Sequence, residues 1–427
     1  MLLMVVTAAT VVKAQTEHKM TVDELFQLVE SNSKILQTEK ISVEFAQKGM
    51  EAARTARLPE LSASASVSMN GDVLVTDRDF SNVQGFAAPR WGNSLALEAQ
   101  QVVYAGGAID ASIRMAELQH EQAQVGVRQV SADQRFLALG QYLEIFKLHN
   151  REQVVQQNID LTQRLIDDIL VRHEQGMVLR NDVTRYELQM QTLRLTLKKL
   201  QDQRAILNHQ LCNQLGVEGE IVPDLTPTLS TTGEGSEDGW QAEALASSPS
   251  MQQAELSQKM AQQELKLAKS EMLPKVAVVA ADNLSGPFTY DLPPVDKNIN
   301  YWYVGVGVKY PISSLFKQNK KVEQAQVRAR QTEQAQAVAA ERLNNQVQQA
   351  YTYYQQAYVE LKTQQKSVEL AQQNYQVVND RYLSQLALIT DMLDASTTKL
   401  NAELQEVDAR INIVYAYYRM KYIAGTL

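Results

Sequence analysis

At 427 residues, 44% hydrophobic and 21% charged, the chain is long enough for two or three ordinary domains. Glycine (18) and proline (10) are scarce while glutamine and alanine abound, which favours long helices over loop-rich folds. A formal net charge of −8, with no basic stripe interleaved with aromatics, excludes a nucleic-acid surface; the single cysteine excludes an intrachain disulfide framework and a cysteine-based metal cluster. That residue, Cys212, follows Leu211 on an apolar helix face and reads as a packing residue.

Residues 1–14 open with an apolar run, Met1–Val12, too short to span a bilayer as a helix. Val12-Lys13-Ala14 before the polar Gln15 suits a signal-peptidase site, so export is expected. The usual positively charged n-region is missing, which points to a truncated start. No cysteine follows the cut, so an acylated N-terminus is not expected.

The remainder reads as an internal duplication. Repeat 1 covers 15–215, a connection 216–240, and repeat 2 covers 241–427. Repeat 1 opens with Val22–Glu30, then an amphipathic helix through about Arg57, and Leu58-Pro59 ends it. Repeat 2 does the same with a helix from about Met251 to Glu271 and Leu273-Pro274. Each copy continues as strand, loop, strand, very long helix, turn and long helix. The connection is rich in Gly, Pro, Thr, Ser and acid, and reads as solvated.

Strands are expected at about 60–72, 92–104, 275–285 and 300–312. Leu61, Ala63, Ala65, Val67 and Met69 alternate with serines, and Trp302, Val304, Val306 and Val308 alternate with Tyr301, Tyr303, Gly305 and Gly307. Ten-residue segments apolar on one face suit a transmembrane β-strand, although a half-buried soluble sheet has the same period. Two features favour the membrane. Trp91, Tyr301, Trp302 and Tyr303 sit at strand ends as an aromatic girdle would, and the remaining sequence offers no second layer. Four strands cannot close a barrel, and an open edge is not tolerated in lipid, so several chains must contribute; three would give twelve strands.

From about Ala108 to His173 there is no proline and glycine only at Gly126 and Gly140; from about Ser314 to Tyr382 there is neither. Helices of that length reach roughly 100 Å at 1.5 Å per residue. After each turn comes a coiled-coil stripe, Val183, Tyr186, Met190, Leu193, Leu197, Leu200, Leu207 and Leu211 in the first copy, interrupted by Arg204. The second is Leu393, Leu400, Leu404, Val407, Ile411, Val414 and Tyr418. The other faces are rich in Gln, Asn and Ala: either a solvated exterior or the wetted wall of a conduit. The turns themselves, near 176–181 and 385–390, match. Asp182 and Asp391 each lie six residues after Gly176 and Gln385, but Arg185 in the first copy is Asp394 in the second.

This plan resembles the TolC-type outer-membrane efflux channels (outer membrane factors) over nearly the whole mature chain. The local marks are Leu58-Pro59, Leu273-Pro274, Gln101–Gly107, Tyr310-Pro311-Ile312 and, above all, Thr390–Leu400. The resemblance implies a mainly α fold with a small β part. It further implies a homotrimer whose twelve-stranded transmembrane β-barrel, four strands per chain, continues as a long periplasmic α-helical coiled-coil barrel. Such a channel sits in outer-membrane lipid, extends into the periplasm, and serves multidrug efflux or type I secretion. It opens like an iris when docked to a periplasmic adaptor and an inner-membrane transporter. Residue by residue, the constriction-ring aspartates match Asp391 and Asp394. The adaptor-docking tips match Gly176, Met177 and Val178, and Gln385, Leu386 and Ala387. A tip network would involve Arg180, Asn181, Asp182, Arg185 and Tyr382. Where some members carry a latch arginine this chain has Ala387, and the usual glycine is Gln385; Arg180 or Arg185 could substitute.

Asp391 also suits an N-cap with Asp394 at the third helical position, where an acid favours the helix dipole. Both carboxylates share one helix face, and a symmetric ring of them would attract cations and repel anions. Capping and gating are compatible. The five histidines lack metal spacing, and no phosphate loop, dinucleotide fingerprint or nucleophile elbow occurs, so neither enzyme activity nor a cofactor is expected. Two other readings stand beside the duct. A periplasmic coiled-coil adaptor would need a compact glycine-rich β domain, and a structural protein of an envelope-spanning assembly would not need paired acids in one turn.

Overall fold

The computed structural model describes residues 17–225, 235–384 and 386–427. The leader expected at 1–14, residues 226–234 of the connection, and Gln385 lie outside the described residues. The fold is mainly helical with a small β part, and it divides into two units. The first takes the described residues within 1–41, 125–252 and 338–427; the second takes 42–124 and 253–337.

In the first unit, strand β1 (Glu17–Met20) pairs in parallel with a strand from the connection, Glu220–Pro223. The connection is therefore not simply solvated: Ile221 and Leu225 are buried in the core. Helix α1 (Val22–Asn32) starts in a capping box. Thr21 Oγ1 accepts the Glu24 N–H at 3.3 Å and the Glu24 carboxylate accepts the Thr21 N–H at 2.8 Å. The boundary to the next helix falls at Ser33, whose backbone is extended and whose Oγ caps α2 (Lys34–Arg54) by accepting the Leu36 N–H at 3.3 Å. A serine hydroxyl that satisfies an orphan N–H makes a new helix start preferable to continuation. The second copy repeats the break: α5 (Glu237–Ser247) ends at Ser248, also extended, and α6 (Pro249–Ser270) begins on a proline.

Two very long helices, α3 (Ala108–Glu174) and α7 (Ser314–Leu383), contribute to both units. Each turns into a 36-residue helix, α4 (Arg180–Leu215) or α8 (Ile389–Ala424). The two shorter helices correspond closely in length and ends. Both are preceded by an extended leucine, Leu179 or Leu388, and both end on a left-handed glycine, Gly216 (φ 66°) or Gly425 (φ 75°).

Three apolar clusters hold this unit together. One joins Leu25 and Val29 of α1 to Leu139 and Tyr142 of α3, Leu211 and Cys212 of α4, and Val414 of α8. Each fully buried leucine or valine contributes about 1.5–3 kcal/mol. A second lies toward the turns, with Ile166, Ile169, Val183, Tyr186, Met190 and Met392. The third packs small residues of α5, α7 and α8, such as Ala244, Ala350 and Ala416. The stripe on α8 is rotated from the expected one near its start: Ile389, Met392 and Ala395 are buried, whereas Leu393, Leu400 and Leu404 only pack against the cluster. Arg204 interrupts the α4 stripe because it is paired, its Nε 2.8 Å from Glu152 and its Nη1 bonded to Glu220.

In the second unit, β2 (Glu60–Met69), β5 (Trp91–Tyr104), β7 (Lys275–Gly286) and β8 (Ile299–Lys309) form one antiparallel sheet in that order. A short pair, β3 (Val73–Val75) with β4 (Gln84–Phe86), occupies the first strand connection; the strand from the connection is thus β6. Gly106, leaving β5, has φ +64°, and a Cβ there would lie 2.9 Å from the Ser270 carbonyl oxygen, so only glycine fits.

Register puts Leu61, Leu97 and Val304 on one sheet face and Ser62, Glu98 and Tyr303 on the other. No layer among the described residues covers the apolar face: Leu61 is 75% exposed, Val306 69% and Val308 68%. The outer edges of β2 and β8 have no partner strand among the described residues.

Candidate functional site: the paired helix turns

The first turn, between α3 and α4, is closed by Gly176 (φ 74°), with Met177 N–H donating to the Arg172 carbonyl at 2.9 Å. His173 Nδ1 lies 3.0 Å from the Val178 carbonyl oxygen. The second turn repeats the closure, with Leu386 N–H on the Arg381 carbonyl at 2.7 Å and Ser384 N–H on Asp380 at 3.1 Å. One side chain ties the turns together: the Arg172 guanidinium donates to the Leu383 carbonyl oxygen at 3.1 Å. Sequence reasoning passed over Arg172, whose place in the last turn of α3 reads as ordinary dipole pairing.

Of the expected docking residues, Gly176, Met177 and Leu386 are exposed, while Val178 and Ala387 turn inward and pack against the second cluster. Leu179 and Leu388 are 72% and 69% exposed and complete the apolar tips. They were not anticipated, although an apolar residue immediately before a helix start, with no side-chain cap to offer, is a legible signal.

The acids differ in their surroundings. Asp391 is not the N-cap: Leu388 is, and Asp391 occupies the third helical position with Asp394 one turn further in. Leucine has no oxygen to give, so the Asp391 carboxylate reaches back and accepts the Leu388 N–H at 3.1 Å. Asp394 is exposed and has no hydrogen bond or ion pair among the described residues. Asp182, at the same helical position in the first copy, is half-buried beside Tyr186 and Tyr382. Both tyrosines are buried, and neither hydroxyl has a partner among the described residues. Burial pushes both phenols up, and the nearby Asp182 carboxylate adds to this.

Arg180 pairs with Glu187 on its own helix at 3.7 Å, while Asn181 and Arg185 make no hydrogen bond or ion pair among the described residues. Among the described residues, neither arginine therefore bridges the two turns. The aromatic residues of the sheet also separate. Trp91 and Trp302 lie on the apolar face, 70% and 75% exposed, whereas Tyr301 and Tyr303 lie on the opposite face.

No cluster of His, Cys, Asp or Glu among the described residues could hold a metal ion, and no described helix is long and apolar enough to cross a membrane.

No curated protein matches the chain. Its fold, however, is shared with solved outer-membrane proteins. VceC of Vibrio cholerae aligns at TM-score 0.77 and 15% identity, over 95% of this chain and 96% of that one. CusC aligns at TM-score 0.81 and 14% identity, over 94% and 91%. The CmeC outer membrane channel of Campylobacter jejuni aligns at TM-score 0.75 and 13% identity, over 95% and 85%. At such identities the likeness is one of fold. Residues 240–426, the second repeat, match the family model for outer membrane efflux proteins. With that match in its second half and that fold over nearly its whole length, the chain is similar to outer membrane efflux proteins.

Proposed function

We propose that the protein is the exit duct of a tripartite efflux or type I secretion system. It passively conducts substrate from a periplasmic adaptor and inner-membrane pump to the exterior. The observation that carries this reading is the four-stranded sheet, with one apolar face uncovered and two edges unpaired among the described residues. In lipid such edges must be closed, and three copies would close them as a twelve-stranded barrel. A coiled-coil adaptor has no use for a sheet of that kind. In this reading the protein itself is not an enzyme, and energy is supplied by the pump.

In this reading the exposed apolar tips, Met177, Leu179, Leu386 and Leu388, offer docking surface to the adaptor, and the six carboxylates of Asp391 and Asp394 form the gate. Tip opening would release the Arg172–Leu383 tie. The test is detergent extraction of outer-membrane fractions followed by planar-bilayer recording. Heat-resistant trimers that conduct are expected; recovery as a soluble monomer without detergent would refute the proposal.

A further inference from the structure

The sheet face opposite the valines is lined mainly by small side chains, such as Ser62, Ser64, Gly305 and Gly307. Larger side chains also occur on it, with Glu60, Gln100 and Val279 in the next row and Lys275 and Lys309 toward one end; the row of interest here holds Glu98 and Tyr303. Glu98 is opposite Ala281, and Ala281 is opposite Tyr303, so acid and ring share one row across three strands. Tyr301 lies two positions along on the same face, opposite Asn283. Both rings are about half exposed, at 51% and 49%. Ala281, the small residue between Glu98 and Tyr303 in this row, is only 5% exposed.

These tyrosines cannot serve as lipid anchors beside Trp302, because alternation turns them the other way. On the trimeric-barrel reading, on which this inference rests, their face lines the bore. Twelve strands about 4.8 Å apart and tilted about 40° enclose a diameter of roughly 24 Å between backbones. Rings and carboxylates from three copies narrow that bore to the scale of an organic molecule. A tyrosine face attracts a cation through its quadrupole, and a carboxylate across one small residue adds charge complementarity. An uncharged or anionic molecule gains neither.

We propose that Tyr301, Tyr303 and Glu98 form a binding band for organic cations inside the barrel wall, separate from the acids at the helix turns. The experiment is planar-bilayer recording of the full-length protein with tetraphenylphosphonium added on the loop side. Wild-type channels should be blocked in a concentration-dependent way. The blocking constant should weaken about tenfold in the Tyr301→Ala/Tyr303→Ala double variant and about threefold in Glu98→Gln, as expected for loss of a cation–π site and of its charge. Tyr303→Phe, which keeps the ring face and the shape of the wall, should retain block. Asp391→Asn/Asp394→Asn should leave loop-side block unchanged. Blocking constants within twofold of wild type in both Glu98→Gln and the double variant would overturn the band, as would loss of loop-side block in the turn variant alone. Should the double variant not insert, Glu98→Gln decides by itself. Failure of wild type to form any channel would instead refute the duct on which the band depends.

Discussion

The carboxylate of Asp391 closes back on the N–H of Leu388 at 3.1 Å, so one of the two acids in this turn is occupied by its own helix start. Asp394, one turn on, has no such obligation among the described residues. The two positions should therefore separate experimentally. Asp391→Ala should destabilise the α8 start by about 1 kcal/mol, as loss of a helix-end cap does. Faster amide exchange of Leu388 would report it. Asp394→Asn should leave that exchange unchanged and lower cation preference in reversal-potential measurements. Equal exchange effects at both positions would contradict the assignment.

Equivalent glycines should tolerate substitution unequally. Gly216 and Gly425 both hold left-handed conformations, so alanine at either carries a strain of about 1 kcal/mol or more. A Cβ on Gly216 meets nothing nearer than 3.5 Å, whereas one on Gly425 would lie 2.7 Å from the Ser247 carbonyl oxygen. Gly425→Ala should thus lower the melting temperature clearly more than Gly216→Ala, as calorimetry would show.

Arg204 neutralises two carboxylates from α3 and β6, with all three side chains largely shielded from water. Arg204→Met fills the stripe with an apolar side chain but leaves Glu152 and Glu220 facing each other. A loss of roughly 2–3 kcal/mol is expected, below the roughly 3–5 kcal/mol of a fully buried broken pair because the groups retain some exposure. The triple variant Arg204→Met/Glu152→Gln/Glu220→Gln should recover most of it. Chemical denaturation of the purified protein measures both.

Alkaline pH should weaken the packing of α8 on α3. The Tyr422 phenol is pushed up to about 12 by burial and by its hydrogen bond to Asp133 at 2.7 Å. A raised folded-state pKa means the neutral form is favoured in the fold. Its contribution is complete below about 10, the ordinary tyrosine value, and is lost as pH rises through about 12. Tyr422→Phe should flatten the fall in thermal stability over that window, followed by circular dichroism.

Much of this was legible because local rules leave few alternatives. Period-two alternation located the four long strands, and the absence of proline from 314 to 382 announced α7 before any contact was known. Particular residues escaped for particular reasons. Ser33 separates α1 from α2 through a single hydroxyl, a boundary that local propensity does not mark. Strand β6 forms only because β1, some 200 residues earlier, lies beside it, and no local pattern encodes a two-stranded parallel ladder of four residues. Arg172 binds a backbone carbonyl, which any sequence would supply.

By itself the sequence determined the long proline-free helices, the alternating strands and the spacing of Asp391 and Asp394, all consequences of periodicity and spacing along the chain. Tertiary structure alone decided that Arg172 joins the turns, that Val178 and Ala387 face inward while Leu179 and Leu388 face out, and that Tyr303 shares a row with Glu98. Those relationships depend on register and helix rotation. A shift of one residue in either reverses which side chains meet, and the energies that set them are summed over contacts between segments far apart in the chain.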